Sequence, residues 1–121
     1  MLRILVVDDN HDSADALALM FSLARAVVET AHDGPQCIAV AERFRPEVVF
    51  LDIGLPTVNG YEVARRIREN PWGRDMVLVA LTGWGHEEDR RLAREAGFTH
   101  HVTKPASPSV LEKIVRESPR T

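Results

Sequence analysis

Three short apolar runs and one weaker strand-like stretch end on residues that can do phosphate or metal chemistry. ILVV (4–7) leads into Asp8 and Asp9, VVFL (48–51) into Asp52, MVLVAL (76–81) into Thr82 and Gly83, and THHVT (99–103) into Lys104 and Pro105. Carboxylates held close together repel one another, and a proton or a cation must relieve them. Mg2+ (or Mn2+) suits such a set, because these ions prefer oxygen ligands and commonly bind through carboxylates, waters and a phosphate. The ammonium of Lys104 can pair with a phosphoryl oxygen, and the Thr82 hydroxyl can donate a hydrogen bond. An aspartate carboxylate can attack phosphorus and form an aspartyl-phosphate. A cation and Lys104 would then neutralise the charge that moves during transfer. Each residue alone has a plainer reading. Asp8 and Asp9 could cap the helix that follows, Thr82 suits a strand, and Lys104 could be a surface lysine. The ordered set is what points to phosphoryl chemistry.

Such residues meet only if the chain aligns the ends of those runs. Between the runs, apolar residues fall at helix spacing: positions 14, 17, 18, 21 and 24; 37, 40, 41 and 44; 63, 64 and 67; 92, 93 and 96; and 110, 111, 114 and 115. VVETA (27–31) is a further, weaker strand. The pattern is five βα units. Strands apolar throughout need cover on both faces. Alternating β and α then implies a parallel sheet between two helical layers. Ligand chemistry in such sheets gathers beyond the carboxyl ends of the strands, where the acids, Thr82 and Lys104 lie. The second strand ends in Ala31 and His32 and adds nothing evident to that set. Boundary signals agree with the elements. Pro35 suits a helix's first turn, Asn70–Pro71 stops the third helix, and Gly97 follows the fourth as a left-handed cap. The fourth helix, HEEDRRLAREAG (86–97), is almost wholly charged, with Glu87 and Arg91 spaced as an i,i+4 pair. It reads either as a solvated face or as a partner surface.

The 121 residues suit one domain, expected to span 1–121. Composition is ordinary for a globular protein, at 45% apolar and 27% charged residues. A net charge of −3 without clustered Lys and Arg argues against direct nucleic-acid binding. The one cysteine, Cys37, excludes an internal disulfide and a cysteine metal cage. No run approaches the roughly 20 apolar residues of a membrane span, and the start lacks a signal-peptide layout. A cytoplasmic location is expected, with no membrane contact.

VVDDN (6–10), LDIGLPTVNGYE (51–62), ALTGW (80–84) and VTKP (102–105) stand in the order and spacing found in receiver domains of two-component response regulators. The chain resembles that family from Arg3 to about Glu117. The resemblance implies a flavodoxin-like (βα)5 fold, a doubly wound five-stranded parallel sheet in the order 2-1-3-4-5. It also implies the roles. Asp52 would be the phosphoacceptor, Asp9 a direct metal ligand, Asp8 a ligand acting mostly through water, and Gly54 the donor of a backbone carbonyl to the metal. Thr82 would be the switch hydroxyl, Lys104 the partner of a phosphoryl oxygen, and the Lys104–Pro105 peptide cis. The implied phosphodonor is a histidine kinase or a histidine phosphotransfer protein, which Asp12 and the exposed side of the first helix could meet. A downstream partner would read the face made by the fourth helix, fifth strand and fifth helix. Such a domain is a signalling module that promotes its own phosphorylation and dephosphorylation.

Three positions depart from the usual pattern. His101 stands where the family usually has Tyr or Phe as a second switch. It could rotate and titrate, or be a passive strand residue, with His100 on the opposite face. Gly54 is small and Trp84 large at two positions flanking Asp52, and Trp84 could instead be simple loop filling. The remaining histidines, His11, His32 and His86, have no metal-ligand spacing and read as surface residues.

Competing functions are weaker. A haloacid-dehalogenase-type phosphatase also uses an Asp nucleophile but needs a second Asp two residues on, where this chain has Gly54. A degenerate receiver used only for binding would be expected to lack an acid or the lysine. Neither a Walker loop nor G-x-G-x-x-G is present. With the last helix running close to Thr121, no output module is expected within these residues. The alternatives are a stand-alone receiver and a segment of a larger protein. DIGLP…GYEVARRIR and LTGW resemble receivers attached to hybrid sensor histidine kinases, which favours the second.

Overall fold

Strands that are apolar on both faces are stable only between two layers, and the chain supplies a helix after each one. The structure, a computed structural model, describes residues 1–56 and 58–118. Among these residues the order is β1 (Arg3–Val7), α1 (His11–Leu23), β2 (Val27–Ala31), α2 (Gly34–Phe44), β3 (Val48–Asp52), α3 (Gly60–Glu69), β4 (Val77–Thr82), α4 (Glu87–Ala96), β5 (His100–Thr103) and α5 (Pro108–Glu117). The strands form one parallel sheet in the order β2-β1-β3-β4-β5. This is the flavodoxin-like arrangement.

Strand alternation divides the core in two. Leu5, Val7, Val49, Leu51, Leu78 and Ala80 face α2, α3 and α4, whose Cys37, Ala41, Val63, Ile67 and Ala93 meet them. Ile4, Val6, Val48, Phe50, Val79 and Leu81 face α1 and α5, where Phe21 stacks on Phe50 with ring centroids 4.9 Å apart. Each Val, Leu, Ile or Phe side chain buried in full contributes about 1.5–3 kcal/mol, so the central strands carry most of the core's burial. β2 and β5, the runs with the poorest strand composition, are the two sheet edges. They carry polar residues because cover there is partial.

Local chemistry sets the element ends. Asn10, not Asp8 or Asp9, caps α1, its side chain accepting from the Ser13 N–H at 3.0 Å. Asp33 and Asn59 cap α2 and α3 in the same way. Gly97 closes α4 at a φ of 104°, which glycine alone adopts readily. Gly60 lets α3 start against β3, since a Cβ there would lie 2.8 Å from Ile53 Cα. The i,i+4 spacing of Glu87 and Arg91 does not set the pairing on α4. Arg91 lies one turn from both Glu88 and Glu95, and its forked guanidinium bonds these two, Glu95 at 2.5 Å.

At the amino-terminal edge of the sheet, two arginines tie elements together. Arg68 of α3 donates to the carbonyls of Gly97, Gly73, Arg74 and Met76 and to Thr99 Oγ1. Arg3 donates to the carbonyls of Phe44 and Arg45. Both satisfy carbonyls left open at helix and turn ends.

Candidate functional site

The register decides what shares the opposite edge. Val7 pairs with Leu51, Asp52 with Leu81, and Thr82 with Thr103. Asp8 therefore emerges beside Asp52, and Lys104 emerges beside the end of β4. Main-chain bonds continue past the strands: Asp8 N–H donates to the Ala31 carbonyl at 3.1 Å and Lys104 N–H to the Thr82 carbonyl at 2.7 Å. Asp8, Asp9 and Asp52 each offer a carboxylate oxygen, all within 4.8 Å of one another. Asp8 is buried, Asp52 is nearly so at 9% exposure, and Asp9 is exposed.

Lys104 Nζ donates to Asp52 Oδ2 at 3.0 Å and stands 3.9 Å from Asp8 Oδ2. Gly54 N–H donates to Asp52 Oδ1 at 3.0 Å, and Asn10 N–H to Asp8 Oδ1 at 2.9 Å. Asp8 nevertheless stays above the ordinary carboxyl range. Burial is the main cause and neighbouring Asp52 adds to it, against the Asn10 N–H and the Lys104 ammonium. One ammonium among three carboxylates leaves an excess of negative charge on hard oxygen donors, which fits Mg2+.

Sequence spacing alone could not place the flanking residues. Thr82 Oγ1 accepts from the Trp84 N–H at 3.1 Å. Trp84 is 61% exposed and does not fill the loop. A Cβ on Gly54 would meet Asp52 Oδ1 at 3.7 Å, an ordinary contact, so the space beside Asp52 is open. The Lys104–Pro105 peptide is cis. Val102 joins the α1–α5 core, which puts His101 on the α4 side. Both ring nitrogens of His101 are enclosed, without a hydrogen-bond partner among the described residues. Burial, helped by Arg90 and opposed by Asp89, pushes its ring toward the neutral form.

The residue that sequence reasoning passed over is His32. Its ring Nδ1 lies 3.0 Å from the Asp8 main-chain carbonyl, and the His11 ring stacks on it. The readable signal was its place one residue beyond Ala31, the register partner of Val7.

Residues 4–116 match the family described as the response regulator receiver domain. The chain belongs to this family. This receiver is 33% identical to the response regulator PleD of Caulobacter vibrioides over 118 residues, which cover 98% of the chain and 26% of PleD. Its structure superposes on the chemotaxis protein CheY4 of Vibrio cholerae with a TM-score of 0.92 at 26% identity, covering 98% of this chain and 99% of CheY4. The receiver domain of sensor histidine kinase PA1611 from Pseudomonas aeruginosa superposes with a TM-score of 0.86 at 30% identity, covering 95% and 94% of the two chains. That structure has a magnesium ion coordinated in its active site cleft. The receiver is a signalling module rather than a classical enzyme. Among the described residues, no helix is long and apolar enough to cross a membrane.

Proposed function

We propose that this receiver accepts a phosphoryl group on Asp52 from the phosphohistidine of a histidine kinase or histidine phosphotransfer protein. The observation that carries the reading is Lys104 Nζ at 3.0 Å from Asp52, inside a set of carboxylates whose oxygens lie within 4.8 Å. An Asp52 oxygen attacks phosphorus, a P–O bond forms, and the P–N bond breaks as the imidazole leaves with its electron pair. Asp8, Asp9, Asp52 and the Gly54 carbonyl would hold Mg2+ or Mn2+, which when bound neutralises phosphoryl oxygens. Lys104 pairs with another of those oxygens. The Thr82 hydroxyl, now engaged by Trp84, turns toward the new phosphoryl group. That movement and the pose of His101 change the face made by α4, β5 and α5, where a downstream partner docks.

A groove of about 490 Å³ opens on Asp8 and Lys104 and is lined by Ser13, Ala16 and Leu17 of α1 and by Ala106 and Leu111. It gives a donor's helices a partly apolar seat next to Asp52. Residues 1–121 act as one receiver domain in the cytoplasm, alone or as a segment of a hybrid histidine kinase. The phosphatase alternative lacks its second acid two residues beyond Asp52, because position 54 is a glycine that offers only an N–H and a carbonyl.

The test is labelling by acetyl phosphate, or capture of beryllofluoride, with and without Mg2+. Wild type is expected to be modified only with the cation, and Asp52→Asn not at all. Normal labelling of Asp52→Asn would sink the reading. A phosphotransfer profile against the host's histidine kinases would identify the donor.

A further inference from the structure

Three carboxylates in one pocket push each other apart, so something must hold the main chain that carries them. Asp52 is fixed within a central strand. Asp8 and Asp9 lie beyond β1, where the sheet no longer constrains them on both sides. The Asp8 N–H is bonded to the Ala31 carbonyl at 3.1 Å. The Asp8 carbonyl belongs to the peptide that carries Asp9, and its contact is the His32 ring, 3.0 Å from Nδ1. A carbonyl only accepts, so the His32 proton sits on Nδ1.

His32 is itself held from two other sides. Its main-chain N–H donates to Gln36 Oε1 at 2.6 Å, while Gln36 N–H donates to the α2 cap Asp33 at 2.8 Å. The His11 ring, in the first turn of α1, lies flat on the His32 ring with centroids 3.6 Å apart and planes within 13°. The end of β1 and the first turn of α1 thus meet on the His32 imidazole, while the first turn of α2 holds its main chain.

We infer that His32, backed by His11, is a positioning residue for the carboxylates of Asp8 and Asp9, fixing the peptide between them so that both aim at one cation. The inference rests on the metal centre of the proposed receiver function. It uses neither phosphorylation nor a change of protonation. Without the His32 hydrogen bond the Asp8–Asp9 peptide can rotate, and repulsion favours poses in which exposed Asp9 swings away.

The experiment is titration of the metal-free protein with Mn2+ alone, with the free ion counted by electron paramagnetic resonance. His32→Phe keeps a ring for the stack and removes the donor. A roughly three- to tenfold loss of Mn2+ affinity is expected, the size of one lost hydrogen bond. His32→Asn, whose Nδ2 takes the place of Nδ1, is expected to recover most of that loss, which a purely structural role would not produce. Wild-type affinity in His32→Phe overturns the inference and leaves the receiver reading intact. No Mn2+ binding by wild type overturns the metal centre and the inference with it. Should His32→Phe not fold, His11→Ala decides, because it strips the stack and leaves the donor. A loss of about twofold supports the inference, and unchanged affinity overturns it.

Discussion

At the amino-terminal edge of the sheet, Arg68 and Arg3 direct their donors at main-chain carbonyls. At the carboxyl edge, Asp8, Asp9 and Asp52 gather their oxygens within 4.8 Å with one lysine among them. The first edge pairs each guanidinium with the lone pairs of main-chain carbonyls, several of them partly buried, which is a stabilising arrangement. The second edge leaves charge uncompensated, and burial together with neighbouring Asp52 makes Asp8 resist ionisation. One edge holds the fold and the other holds an excess of negative charge that a cation would relieve. Stability and function therefore separate along the same strands, some five residues apart.

Substitutions at the two edges should fail in opposite ways. The largest effect expected is from Asp52→Asn: complete loss of labelling by acetyl phosphate, with a metal-free unfolding midpoint equal to or above wild type, because a repelling carboxylate is gone. A lower midpoint would break the comparison. Arg68→Met should do the reverse. It strands carbonyls that Arg68 now serves, and urea unfolding should show a loss of about 2–4 kcal/mol. The folded fraction should still label at Asp52.

Asp8→Asn sharpens the contrast through pH. The Asp8 carboxyl lies above its ordinary value in the folded protein. Its contribution to stability is therefore full below the ordinary Asp range and is lost as pH rises through the folded value. The variant should be more stable than metal-free wild type at neutral pH, and the gain should vanish in acid, as thermal unfolding across pH would show. Added Mg2+ should stabilise wild type more than the variant. The smallest effect is expected at Trp84, which is 61% exposed at the reacting edge. Trp84→Ala should shift stability by about 0.5 kcal/mol or less, while changing the rate at which small phosphodonors reach Asp52. A large stability loss there would mean that the loop, too, holds the fold.

Much of this was legible in the chain. Apolar runs without alternation gave a covered parallel sheet, and Pro35, Asn70–Pro71 and Gly97 marked helix ends where the structure has them. The acids, threonine and lysine at the strand ends gave the candidate site. Three readings needed more. The cap of α1 is Asn10, which frees Asp9 to face the pocket. Arg91 bonds Glu88 and Glu95, a choice among rotamers rather than a matter of spacing. His32 read as a surface residue because its partner is 24 positions away.

Sequence alone determined what depends on neighbours along the chain: helix and strand period, caps and breakers, and which residue type ends each run. These follow from local sterics and from side chains reaching their own backbone. Tertiary structure alone decided the contacts that give those residues their chemistry. Lys104 meets Asp52 across 52 positions. The β1–β3 register brings Asp8 beside Asp52, and His32 closes on the Asp8 carbonyl from a neighbouring strand. Such contacts depend on strand order and register, which are set by packing the whole sheet between its two helical layers and by no single segment.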